Sequence, residues 1–163
     1  MSRMVKQHHY ETSVNWTGNR GEGTLHYKSY DRDHIIVVDN KAPIRASSDP
    51  AFMGNSFHYN PEELLLASLS SCHMLWYLHL CADAGIIVIA YTDMATATME
   101  ENNRGGKFIE ARLQPQVTVA TSAMIEQASA LHKEANQKCF IANSCNFPVY
   151  HSASIKAAEQ TPE

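Results

Sequence analysis

The stretch Asn60–Gly85, NPEELLLASLSSCHMLWYLHLCADAG, decides the fold. Asn60 is a good helix N-cap, and Pro61 suits the first helical position, where an N–H is not needed. Glu62 and Glu63 complement the positive end of the helix dipole. Asp83-Ala84-Gly85 reads as the stop, with Gly85 just past the end. Between them Leu65, Leu69, Cys72 and Trp76 follow the i, i+4, i+7, i+11 spacing of one face. Leu64, Leu75, Leu78 and Leu80 fill the other faces. A helix apolar nearly all round is a central one, wrapped on several sides. Its apolar run Leu64–Leu80 is broken by Ser68, Ser70, Ser71, His73 and His79, which reads as too polar for a membrane span.

The flanks of this helix read as strands. Upstream, Val5–Thr17 alternates loosely, Gly18-Asn19-Arg20-Gly21 is a turn signal, and Thr24–Tyr30 and Ile35–Val38 are further strands. Lys41–Tyr59, punctuated by Pro43, Pro50 and Gly54, reads as a long loop of the kind that often serves function. Downstream, Ile86–Met99 and Lys107–Thr121 form a long hairpin turning at Gly105-Gly106. Ser122 caps a second helix over 123–138, and Phe147–Ala157 is a closing strand before a frayed tail from Glu159. The order predicts an α+β fold, an antiparallel sheet packed on helices, in one domain spanning residues 1–163.

Composition narrows the function classes. The net charge of -4 and the lack of a Lys/Arg run give no nucleic-acid or anionic-membrane surface. Met1–Tyr10 is polar and shows no signal-peptide core, so a soluble, cytoplasmic protein is expected. Four cysteines in such a protein point to free, catalytic or redox-sensing thiols, not to a disulfide framework. No CxxC, HxxxH or HExxH occurs among the cysteines and nine histidines, and no phosphate-binding glycine pattern is present. No metal site or nucleotide cofactor is therefore expected.

Cys72 lies inside the central helix and Cys139 at the end of the second. Each reads as a small core hydrophobe if isolated, or as half of a redox pair if the two meet. Cys81 falls on the opposite side of the helix from Cys72 and reads as core. Cys145 sits in an Asn/Ser-rich turn, where packing or a substitute thiol are both open. A peroxide-reactive cysteine must be a thiolate, and apolar surroundings oppose ionisation. Arg20, among glycines that permit close approach, is the best candidate cation. Glu62 or Glu63 would hold its guanidinium. Glu62 stands ten residues before Cys72, roughly 15 Å along a helix, so it cannot touch that thiol. A symmetric dimer with sites built from both copies answers the reach problem.

The blocks Asn60-Pro61-Glu62-Glu63-Leu64-Leu65, Ser70-Ser71-Cys72-His73-Met74 and Lys138-Cys139-Phe140-Ile141 together resemble the OsmC/Ohr family, the osmotically induced and organic hydroperoxide resistance proteins. The segment Trp16–Thr24 resembles that family's tryptophan–glycine turn with its arginine. The resemblance covers roughly residues 10–156. It implies an intertwined homodimer of α+β subunits, with antiparallel sheets wrapped around two long central helices and sites at the interface. It also implies a thiol-dependent peroxidase of organic hydroperoxides, active in oxidative-stress defence.

In that likeness Cys72 is the peroxidatic cysteine, Cys139 the resolving cysteine, Arg20 the thiolate-stabilising cation and Glu62 its carboxylate partner. An external dithiol restores the thiols, and no cofactor is implied. Leu69, Trp76 and Phe140 are apolar neighbours suited to a lipid-like hydroperoxide. Phe140 stands where many members carry proline, which marks a distinct branch. The alternative is a non-catalytic dimer of the same fold that binds an apolar ligand or senses oxidation through Cys72.

Overall fold

A computed structural model of the chain describes residues 5–159. The tail expected to fray beyond Glu159 lies outside the described residues, as do the first four positions of the polar start. The chain divides into two compact units, up to Leu64 and from Leu65 onward.

The first unit holds a three-stranded antiparallel sheet. Its strands are β1 (Ser13–Trp16), β2 (His34–Val37) and β3 (Ile44–Ala46), in the order β1-β2-β3. The first strand is much shorter than the expected 5–17. Thr24–Tyr30 forms no strand but a run of turns, closed by one bridge between Asn19 and Tyr30. Side-chain bonding explains the difference. The Asn19 side chain accepts from the Gly21 and Gly23 amides, and Ser29 Oγ donates to the Gly23 and His26 carbonyls. Local side-chain partners of this kind compete with ladder bonds. Gly18 is required here, because a Cβ would lie 1.9 Å from the Asp31 carbonyl oxygen. The long loop of 41–59 contains β3 and a 3₁₀ turn, Pro50–Phe52, capped by Asp49.

The central helix is α1 (Pro61–Asp83). Its start is a reciprocal capping box: the Glu63 amide donates to Asn60 Oδ1 at 2.8 Å, and the Asn60 amide donates to Glu63 Oε2 at 3.2 Å. Gly85 closes it with φ +71°, as a C′ glycine should. The buried face is not the expected one. Leu69, His73, Tyr77 and Cys81 are buried, whereas Cys72 and Trp76 are half-exposed and Leu75 is 62% exposed. By length and composition α1 also passes the test for a membrane-crossing helix, contrary to expectation, because its leucines outweigh the interrupting serines and histidines. Only 22% of its most apolar stretch is buried.

The second unit has two three-stranded sheets. One is built from β4 (Val88–Asp93), β7 (Pro115–Val119) and β9 (Ser154–Ala157). The other is built from β5 (Thr96–Asn102), β6 (Gly105–Leu113) and β8 (Val149–His151). The expected hairpin forms as β5–β6, but it turns at Asn103-Arg104, with Gly105 and Gly106 already in β6. The expected strand 86–99 is two strands, β4 and β5, in different sheets. The expected strands 107–121 and 147–157 are each two strands that change sheet midway, at Gln114 and at Ser152-Ala153. Both sheets are mixed and not purely antiparallel, since β8 runs parallel to β6 and β9 parallel to β7.

The second helix, α2 (Ile125–Lys138), follows a 3₁₀ turn, so Ser122 begins that turn and does not cap the helix. A one-turn helix, α3 (Phe140–Asn143), comes next. Tyr77 and Cys81 of α1, Ala128 and Ala135 of α2, and Val117 and Val119 of β7 form the core. The small alanines let α2 approach closely.

Candidate functional site

The α1 and α2 helices bring two thiols together. Cys72 is half-buried at the middle of α1. Cys139 is buried at the junction where α2 ends and α3 begins. The backbone leaves the helix at Cys139 (φ -66°, ψ 110°), so its side chain turns to cap α3, and Sγ accepts from the Ala142 amide at 3.4 Å. Burial pushes the Cys139 thiol up to about 11, and hydrogen bonding and charge from the adjacent Cys72 thiol add to the rise. The Ala142 amide works the other way. All four cysteines are free thiols.

Cys72 opens onto a cleft of about 530 Å³, walled by Ser68, Leu75, Trp76, Phe140 and Ile141. Trp76 and Phe140 meet edge to face, with ring centroids 5.5 Å apart. At the rim Lys138 Nζ lies 5.5 Å from the Trp76 ring and 3.5 Å from Glu134. Two of the three apolar neighbours named from sequence, Trp76 and Phe140, line this cleft. Leu69 does not, because it is 1% exposed and faces the core. Cys81 is buried beside Tyr77, as the helix geometry required. Cys145 is half-buried, its thiol donating to the Ile141 carbonyl.

The other two site residues lie in the first unit. Arg20 donates to the Lys28 carbonyl and stands 3.7 Å from Asp31, in a pair more than half exposed on both sides. Among the described residues its carboxylate neighbour is Asp31. Glu62, in the first turn of α1, has one carboxylate oxygen buried without a hydrogen-bond partner.

Sequence reading missed a cluster of imidazoles. His73 of α1 and His132 of α2 are buried, and His73 Nε2 lies 2.9 Å from His132 Nδ1. His151 of β8 packs against both. The legible signal was position: with Tyr77 and Cys81, His73 continues the stripe begun by Leu69, at a spacing of four. Among the described residues no group of three or more His, Cys, Asp or Glu is placed to hold a metal ion. Burial lowers His73 to about 4 and His132 to about 3, so both rings are neutral at pH 7.

The fold matches a known class. The family model for OsmC-like proteins matches residues 53–152, and the chain belongs to that family. An OsmC-like protein of unknown function from Vibrio cholerae superposes with a TM-score of 0.82. It has 29% identity, over 91% of this chain and 100% of that one. An organic hydroperoxide resistance protein from Elizabethkingia anophelis gives a TM-score of 0.68 at 19% identity, over 95% of this chain and 100% of that one. Another from Legionella pneumophila gives 0.66 at 15% identity, over 93% and 98%. At such identities the last two speak for the fold alone. A comparison with curated proteins found no match.

Proposed function

We propose that this chain is a thiol-dependent peroxidase that reduces organic hydroperoxides to alcohols in oxidative-stress defence. The observation that carries this reading is the contact between the Cys72 and Cys139 thiols beside an apolar, aromatic-walled cleft. The Cys72 thiolate attacks the outer peroxide oxygen and the O–O bond breaks. With one proton taken up, the products are Cys72 sulfenic acid and an alcohol. Cys139 then attacks the Cys72 sulfur, releasing water and forming a disulfide. An external dithiol reduces that disulfide by exchange and is itself oxidised.

The electrostatics support this order. Charge on Cys72 is one cause of the raised value at Cys139. A neutral sulfenic acid at Cys72 removes that repulsion, so Cys139 becomes more acidic only after the first step. The cleft suits an alkyl or aryl hydroperoxide better than hydrogen peroxide, since its walls offer apolar area and few polar partners.

Activation of Cys72 falls to Arg20, with Glu62 as the carboxylate that orients the guanidinium. Two observations support these roles. The present Arg20–Asp31 pair is exposed and weak, hence readily exchanged. The buried, unpartnered Glu62 oxygen requires a donor. A homodimer with sites at its interface fits Leu75 of α1, 62% exposed beside the cleft, and the half-buried Leu78 and Leu80 that follow it.

The deciding experiment is consumption of cumene hydroperoxide with excess dithiol. Wild type turns over; Cys72→Ser does not. Equal slow rates for the two proteins would leave the non-catalytic, redox-sensing dimer as the better description.

A further inference from the structure

The thiol pair joins α1 to the residue that ends α2. A second contact between the helices is the His73–His132 hydrogen bond, buried and 2.9 Å long, with the rings within 7° of parallel. The two contacts are linked in sequence. Cys72 immediately precedes His73, and Cys139 follows His132 by two helical turns, roughly 10 Å along the axis. Every displacement of α2 that shortens or breaks the imidazole contact therefore also moves Cys139 relative to Cys72.

The surroundings hold the pair in place. The Tyr77 ring stacks on His132 with centroids 3.8 Å apart and 11° between planes. His151 closes the other side, 5.6 Å from His73 and 6.2 Å from His132. The site also carries a cost. His73 Nδ1 and His132 Nε2 are buried without partners, as is the Tyr77 hydroxyl beside them. Unsatisfied buried groups each oppose folding, and an apolar pair of the same shape avoids them. What an apolar pair lacks is direction. A hydrogen bond fixes both the rotation and the slide of one helix against the other, whereas leucines tolerate either.

We propose that the His73–His132 hydrogen bond is a clasp that positions α2 on α1 and so sets the reach of Cys139 to Cys72. This rests on the thiol-pair reading above. Neither imidazole touches substrate; both are positioning residues. The clasp needs at least one ring nitrogen of the pair unprotonated. The groups that govern this are Asp93 at the end of β4, which favours the charged form of His73, and His151, which disfavours it in both rings. Tyr77 of α1 and Tyr91 of β4 adjoin them and stay neutral, burial raising both. Cys81 beside Tyr77 is likewise raised by burial.

The test is the equilibrium of the Cys72–Cys139 disulfide in glutathione buffers, read by alkylation, intact mass and peptide mapping on the full chain. His132→Phe keeps the stack on Tyr77 but removes the ring nitrogens. It should lower the equilibrium constant for disulfide formation about tenfold, with an unchanged circular-dichroism spectrum. His73→Gln, whose amide can stand near Nε2, should stay within about twofold of wild type. A wild-type constant in His132→Phe overturns the clasp.

Wild type alone supplies a second measurement should His132→Phe fail to fold. Coupling between two sites is reciprocal. The second protonation of the His73–His132 pair, which removes the last accepting nitrogen and is followed by NMR, must then have a lower midpoint in the disulfide form than in the dithiol form. Identical midpoints overturn the proposal. A wild-type chain that forms no Cys72–Cys139 disulfide in any glutathione buffer sinks the thiol-pair reading and the clasp together. A normal wild-type disulfide with indifferent variants sinks the clasp alone.

Discussion

At the scale of the residue, the two cysteines are unequal. Cys139 is buried and held as a thiol well above neutrality, while Cys72 faces a cleft. The proposed roles of attacker and resolver agree with that asymmetry. Cys139→Ser should still consume hydroperoxide but without turnover, stopping after two equivalents per chain. Mass spectrometry should then find a gain of two oxygens at Cys72, the mark of overoxidation. Normal turnover of that variant with dithiol would shift resolution to Cys145 or to an external thiol. Arg20→Ala should slow alkylation of Cys72 at pH 7 about tenfold if the guanidinium stabilises the thiolate. An unchanged rate would remove Arg20 from the mechanism.

At the scale of the element, α1 performs two tasks on two faces. Leu69, His73, Tyr77 and Cys81 point into the core, and Ser68, Cys72, Leu75 and Trp76 line the cleft. Its start is fixed by the Asn60–Glu63 capping box. Asn60→Ala should therefore cost about 1 kcal/mol of stability in denaturant melts. Asn60→Asp, which keeps the accepting oxygen, should cost much less. The helix and its caps were legible from sequence because capping is local chemistry. The choice of buried face was not. A face lined with leucine and tryptophan looks like core, yet here it borders the cleft at Cys72, and the buried face carries a histidine.

At the scale of the whole molecule, two properties depend on what single residues do not report. The uncovered apolar surface of α1 leads to the expectation that the protein sediments as a dimer at micromolar concentration. A clean monomer would contradict it. Stability should also fall on mild acidification. His73 and His132 stay neutral in the folded state down to about 4 and about 3. The same histidines unfolded take up protons below about 6.5. The unfolded state thus binds more protons as pH drops from about 6.5 toward 4, and folding free energy declines over that window. His132→Phe should flatten the decline in thermal melts across the same range.

The sequence by itself determined α1, α2, the presence of a hairpin near residue 105 and the α+β class. Caps, periodicity and turn residues act between near neighbours and need no knowledge of the rest. It also singled out Cys72 and Cys139 as the proposed redox pair, through their settings in NPEELL…SSCHM and KCFI. Only the tertiary structure decided that the closing segment splits into parallel strands of two sheets. It alone set the Arg20 side chain against Asp31 and joined His73 to His132 across 59 residues. Such pairings depend on where distant backbone segments meet. No local preference encodes that, because the free energy of a buried contact belongs to the packed state and not to either residue alone.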